Sequence, residues 1–257
     1  MFDHTAYYLP IDGNQEERDI LIAEYIAEHK NEFPEWYMPL QLGPHTIPAR
    51  TYPDFKDRPD SLLDETSGKR KWDLTLSKVM PDLKGKTVCD IGCNIGIFSL
   101  EMGLLGATSV CGFDRGSDIV QPNNHHLGTQ SVVQQAYMVR NIYEAYHGCR
   151  IPHVHFKEQD LMTIDFTSLH YHLDVFVACC VLYHLGAERM EEIIKDISTH
   201  TPEVILQANN GHGGELGESS CLANHVRLLD KYGYTIEKTV MGPAGYPHPC
   251  VYATKEI

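Results

Sequence analysis

Asp90, Gly92, Cys93, Asn94 and Gly96 fall together in the run Thr87-Val-Cys-Asp-Ile-Gly-Cys-Asn-Ile-Gly-Ile-Phe-Ser99. The glycines let a ligand approach bare backbone, and Asn94 tolerates the left-handed conformation that such a turn needs. The apolar residues after Gly96 start a helix, whose first N–H groups are unpaired and available to a polar ligand. The spacing Gly92…Gly96 is G-x-x-x-G, whereas nicotinamide and flavin sites read G-x-G-x-x-G. Asp90, two residues ahead of Gly92, would repel a pyrophosphate. It suits a ligand with a cationic amino-acid end.

Two further acids follow at useful intervals. Ser109-Val-Cys-Gly-Phe-Asp114 reads as the next strand, ending in a carboxylate about 20 residues past Gly92, a spacing that suits a grip on ribose hydroxyls. His153-Val-His-Phe-Lys-Glu-Gln-Asp160 reads as a third strand ending in an acid. A fourth, Leu173-Asp-Val-Phe-Val-Ala-Cys-Cys-Val-Leu-Tyr-His184, runs into a loop. The first run resembles motif I of the class I S-adenosylmethionine methyltransferases, roughly D-x-G-x-G-x-G, with Asn94 for the middle glycine. The resemblance implies S-adenosyl-L-methionine as cofactor, with Asp90 supporting its methionine end, Asp114 holding ribose and Asp160 reading adenine. Arg115 and Gln159 join this group as neighbours of those acids. Tyr183 would line the methyl pocket.

A closer resemblance covers roughly residues 70–185. Lys71-Trp-Asp, the strand-loop-helix after it and Val181-Leu-Tyr-His184 are similar to the cofactor domain of the tRNA wobble-uridine carboxymethyltransferases. It implies cofactor contacts for Lys71, Gly92, Asp114, Cys179 and Tyr183, with Lys71 facing a carboxylated cofactor. The likeness is read as one of cofactor domain, not of substrate.

For a base, His184 and His212 both follow strands on the carboxyl-end side, where open α/β sheets bind ligands. His212 sits in the polar loop Gln207-Ala-Asn-Asn-Gly-His-Gly-Gly-Glu215. The oxygens of Asn209, Asn210 and Glu215, with His212 and His225, are of a kind that holds a hard divalent cation. Carboxylates are too few there, and no metal is expected.

These residues need a scaffold. Strands are expected near 86–91, 108–113, 153–157, 173–178, 203–208, 234–240 and 249–254, and helices near 95–105, 129–147, 187–199 and 219–232. Such alternation predicts an α/β fold: a Rossmann-like, seven-stranded, mostly parallel sheet with helices on both faces. The last pair of strands resembles the methyltransferase terminal hairpin with its antiparallel strand. Ahead of this core (61–257) lies a leader (1–60), expected to cap the site. It begins with a capped amphipathic helix from Asn14 to about Lys30 and continues as an irregular segment rich in Pro, Tyr and Phe. Its Trp36, Tyr37 and Tyr52 are expected to line the acceptor site. A second helix is expected over 68–79.

Composition narrows the partners. Lys and Arg number 21 against 35 Asp and Glu, a net charge of −14 over 257 residues. Phosphate backbones are bound by clustered Lys and Arg. The one basic cluster is Lys69-Arg70-Lys71, so nucleic acid is disfavoured. No apolar stretch approaches the ~20 residues of a membrane span. The eight cysteines contain no C-x-x-C pair, and Met1-Phe-Asp-His-Thr lacks a signal-peptide pattern. A cytoplasmic protein with reduced thiols is expected. Nothing in the sequence sets an oligomeric state. The reading that follows is methyl transfer to a hydroxyl or amine of a small polar metabolite, such as a sugar or natural product. The alternatives are tRNA wobble-uridine modification with a carboxylated S-adenosylmethionine, and a non-catalytic cofactor-binding protein.

Overall fold

The computed structural model describes residues 8–29, 40–47, 68–114, 132–166 and 172–257. Trp36, Tyr37, Tyr52 and Arg115 lie outside the described residues, as does half of the leader expected to cap the site.

Helix α1 (Gln15–Glu28) begins at a reciprocal cap. The Asn14 side chain accepts the Glu17 N–H at 3.0 Å, and the Glu17 carboxylate accepts the Asn14 N–H at 2.9 Å. The stretch expected to be irregular contains an antiparallel hairpin, β1 (Leu40–Leu42) and β2 (His45–Ile47). His45 Nε2 lies 2.9 Å from the Asp19 carboxylate, which ties the hairpin to α1. The helix expected over 68–79 is composite. α2 (Gly68–Lys71) runs into a π-turn (Trp72–Leu76) and then α3 (Ser77–Val79).

The core alternates as expected: β3 (Thr87–Ile91), α4 (Ile97–Leu104), β4 (Ser109–Asp114), α5 (Val132–His147), β5 (Val154–Glu158) and β6 (Val175–Cys179). A 3₁₀ turn (Leu182–Leu185) leads to α6 (Ala187–Ile197) and β7 (Glu203–Gln207). Then come α7 (Gly214–Ser220), α8 (Leu222–Lys231), β8 (Thr235–Val240) and β9 (Cys250–Thr254). The single helix expected over 219–232 is therefore two helices. Cys221 is extended between them (φ −69°, ψ 152°). The loop after β7 holds the break open, because the Asn210 side chain accepts the Leu222 N–H at 3.0 Å and the Asn209 N–H donates to Ser220 O at 2.9 Å.

The seven strands order as β5-β4-β3-β6-β7-β9-β8, and β9 runs against both neighbours. Among the described residues β8 pairs only with β9; it is mostly exposed and slips register between Ile236 and Lys238. Period-two alternation divides the central strands between two cores. Val88, Val175, Val177 and Ile205 face α4 and α5, whereas Ile91, Phe176, Val204 and Leu206 face α6 and α8. Ile22, Tyr25, Leu40 and Leu42 join the first of these cores. Each Val, Leu, Ile or Phe so buried contributes about 1.5–3 kcal/mol relative to exposure. From β3 the chain winds one way to β4 and β5, then crosses to β6 on the other side. The crevice at that reversal, beyond the strands' carboxyl ends, is where such sheets take ligands.

Candidate active site

The turn after β3 is built from backbone. The N–H groups of Gly92 and Cys93 both donate to Phe113 O, at 2.8 and 3.1 Å. Gly92, Asn94 and Gly96 have φ of 66°, 51° and 81°. The Asn94 side-chain oxygen accepts the next N–H, that of Ile95, at 2.8 Å. The Gly96 N–H closes on Cys93 O at 2.9 Å, so α4 starts at Ile97 rather than near 95. A Cβ on Gly92 would stand 2.5 Å from Val181 Cγ2, and one on Gly96 would stand 2.4 Å from the Phe156 ring. Gly92→Ala is therefore expected to cost roughly 2–5 kcal/mol, from a left-handed alanine plus the forced contact. Urea unfolding checks this, and adding Val181→Ala should recover part of the loss.

Two carboxylates bracket the turn. Asp114, part-exposed at the end of β4, accepts the Asn94 N–H at 2.7 Å. Asp90 lies behind the turn, 1 % exposed, and accepts the Ser99 hydroxyl of α4 at 2.6 Å. Burial pushes its pKa up to about 7, against the Ser99 hydrogen bond and with the Asp114 charge. The Gln159 N–H donates to Asp114 O at 2.7 Å, which joins the end of β5 to the end of β4. Asp160 closes its own turn by accepting the Met162 N–H at 2.9 Å.

On the other side of the crevice stand the groups after β6 and β7. Cys179, the last residue of β6, is buried and in register with Gln207. Tyr183 is buried in the 3₁₀ turn, with ring centroids 5.4 Å from His212 and 6.5 Å from His225. His184 is exposed, 6.1 Å from His212. The two histidines, far apart in sequence, are brought to one mouth. The Asn209 amide is oriented by the Gly211 N–H, which donates to its oxygen at 2.9 Å. Its Nδ2 then faces His212 Nε2 at 3.0 Å, so Nε2 accepts. The loop oxygens weighed as cation ligands are used internally: Asn209 Oδ1 by Gly211 and Asn210 Oδ1 by Leu222. His225 is buried against Cys221 O, and burial lowers its pKa to about 4. Among the described residues no group of three or more His, Cys, Asp or Glu side chains could hold a metal.

A buried polar chain beneath this mouth carries no local sequence signal. The Thr75 hydroxyl donates to Lys71 O at 3.1 Å, and Gln207 Nε2 donates to Thr75 Oγ1 at 3.1 Å. The Cys180 thiol lies 3.3 Å from Gln207 Oε1 and 3.4 Å from His248 Nδ1. Cys180 holds a left-handed φ of 55°, the kind of backbone strain that collects at functional sites. Burial, then the Lys71 charge, lower the His248 pKa to about 3. Lys71, 4 % exposed, also acts on the thiols of Cys179, Cys180 and Cys250, which places its charge by the ends of β6, β7 and β9. All eight cysteines are free thiols.

The fold recurs in solved structures. The chain is similar to EvdMO1, at 14 % identity over 91 % of this chain and 47 % of that one, with a TM-score of 0.57. It is similar to an S-adenosylmethionine-dependent methyltransferase from Aquifex aeolicus, at 16 % identity over 78 % of this chain and 100 % of that one (TM-score 0.51). It is also similar to the magnesium protoporphyrin IX methyltransferase of Synechocystis PCC 6803 with bound S-adenosylhomocysteine, at 21 % identity over 68 % and 76 % (TM-score 0.50). The fold is that of the class I S-adenosylmethionine-dependent methyltransferases. No protein-family model and no curated protein matches the sequence.

Proposed function

We propose that the protein is an S-adenosyl-L-methionine-dependent methyltransferase acting on a hydroxyl or amine of a small polar metabolite, such as a sugar or natural product. The observation that carries this is the Asp114 carboxylate meeting the Gly92–Gly96 turn at the sheet's point of reversal. The donor set fits the cofactor. Asp114 is an acceptor for ribose hydroxyls, Asp160 and Gln159 are polar groups beside the adenine position, and Asp90 supplies charge behind the methionine end. Lys71, Cys179 and Tyr183 complete the cofactor side, and the leader residues Trp36, Tyr37 and Tyr52 are assigned to the acceptor wall. When bound, the cofactor supplies a methyl group activated on a sulfonium.

The chain's own task is to orient the acceptor, exclude water and accept a proton. Tyr183 and His212 pack the mouth, and Asn209 fixes the His212 ring. His184, exposed beside them, is the group better placed to take the proton. His184→Ala is expected to lower kcat about 100-fold with little change in S-adenosylhomocysteine affinity, the usual scale for a lost general base. An acceptor screen that follows S-adenosylhomocysteine release would show it, and an unchanged kcat would remove His184 from the chemistry. The reading is tested first by calorimetric titration with S-adenosylhomocysteine, with NAD as control. Binding of neither sinks it. Binding of carboxylated S-adenosylmethionine in strong preference would favour the second reading, tRNA wobble-uridine modification, for which the buried Lys71 speaks.

A further inference from the structure

At the amino end of β5, away from the crevice, the chain builds a cavity of about 380 Å³ lined by Tyr8, Tyr137, Arg140, Glu144, Arg150 and His155. Arg140, on α5, is 6 % exposed. Its Nη1 donates to Val154 O at 2.9 Å and its Nη2 to the Tyr8 hydroxyl at 3.3 Å. Its Nε is buried with no hydrogen-bond partner among the described residues, 3.7 Å from Glu144 Oε1. Arg150 donates to the other Glu144 oxygen at 2.7 Å and to Leu9 O at 3.1 Å. One carboxylate thus faces two guanidiniums, an excess of positive charge in a chain of net charge −14. Each guanidinium stands over a tyrosine ring, Arg140 over Tyr137 and Arg150 over Tyr8, both at 4.9 Å. The His155 imidazole is held below its ordinary range by burial, then by Arg140, Lys157 and His153.

We propose that this cavity is a second binding site, for a small aromatic anion: a planar ring carrying a carboxylate or a phosphate. Arg150, 37 % exposed, presents a guanidinium that can match either anion, and the buried Arg140 Nε has the Glu144 carboxylate at 3.7 Å but no hydrogen bond among the described residues. Each tyrosine ring already carries a guanidinium, so a planar ligand ring would extend an existing stack, and the volume is that of a small-molecule pocket. The site also touches the cofactor turn through one side chain. The Tyr137 hydroxyl bonds both the N–H and the C=O of Phe156, at 3.2 Å each. The Phe156 ring in turn fills the space in front of Gly96 and Gly112.

The test is an NMR titration of the full chain with phenyl phosphate, benzoate and inorganic phosphate, observing arginine Nε–H signals. Saturable shifts of Arg140 with phenyl phosphate or benzoate are expected, and whichever binds more tightly identifies the anion. Inorganic phosphate should bind at least fivefold more weakly than phenyl phosphate. Arg150→Gln should raise the dissociation constant at least fivefold. Tyr8→Ala, at a half-exposed position, should remove the preference for the ring. No saturable shift with any probe overturns the proposal, as does equal affinity in wild type and both variants. None of these readouts depends on cofactor binding, so the methyltransferase reading stands or falls separately.

Discussion

Asp114→Ala is expected to weaken S-adenosylhomocysteine binding about 100-fold while leaving the protein folded. Hydrogen bonds to a charged group contribute about 1.5–3 kcal/mol each, and a ribose offers two hydroxyls. Loss of about 3 kcal/mol is close to a hundredfold in dissociation constant. The same carboxylate accepts the Asn94 N–H, so alanine also frees the turn at its most strained residue. Asp114→Asn keeps an oxygen for Asn94 but loses the charge. It should fall between wild type and alanine. Calorimetry of the three proteins orders them, with urea unfolding as the check on folding. An alanine variant that binds as wild type does would remove Asp114 from the ribose site.

Acidity should tune both affinity and stability through Asp90. Its folded pKa is raised to about 7 by burial. Below that value it is neutral and offers nothing to a cationic amino end. S-adenosylhomocysteine affinity should therefore rise about fivefold between pH 6 and pH 8, and Asp90→Asn should flatten the rise. Stability runs the other way. A carboxyl with a raised folded pKa contributes fully below its unfolded value of 3.8, and that contribution is lost as pH rises through about 7. At pH 8, Asp90→Asn should be the more stable protein, by up to about 4 kcal/mol. His225 and His248 act in the opposite sense. Their folded values are lowered by burial to about 4 and about 3, so their contribution is present above 6.5 and lost on acidification. Two histidines outweigh one carboxyl between pH 4 and 6.5, where wild-type stability should rise with pH. Urea midpoints across pH 4–8 test both signs.

The central strands were legible because each is buried on both faces and reads as a short β-branched or aromatic run, as in Val175–Cys179. The motif turn was legible because Gly92, Asn94 and Gly96 must all adopt positive φ. What escaped depends on partners distant in the chain. The break at Cys221 is held by Asn210, which accepts the Leu222 N–H from twelve residues upstream of Leu222. The π-turn brings Thr75 to Gln207, 132 residues away. His248 meets Cys180 across 68 residues, and neither residue sits in a recognisable motif. The His184–His212 pairing follows the same rule. Each residue stood out alone, but their proximity is a product of β6 and β7 lying side by side.

The outer strand β8 has a bearing on self-association. Its flank away from β9, unpaired among the described residues, would offer a row of N–H and C=O groups to any second sheet. Glu237 and Lys238 sit mid-strand in water, the register slips between Ile236 and Lys238, and the Thr254 hydroxyl donates to the Glu237 carboxylate at 2.7 Å. Charge and bulge together spoil the flat template that strand addition requires, so this rim resists end-to-end stacking of molecules into aggregates.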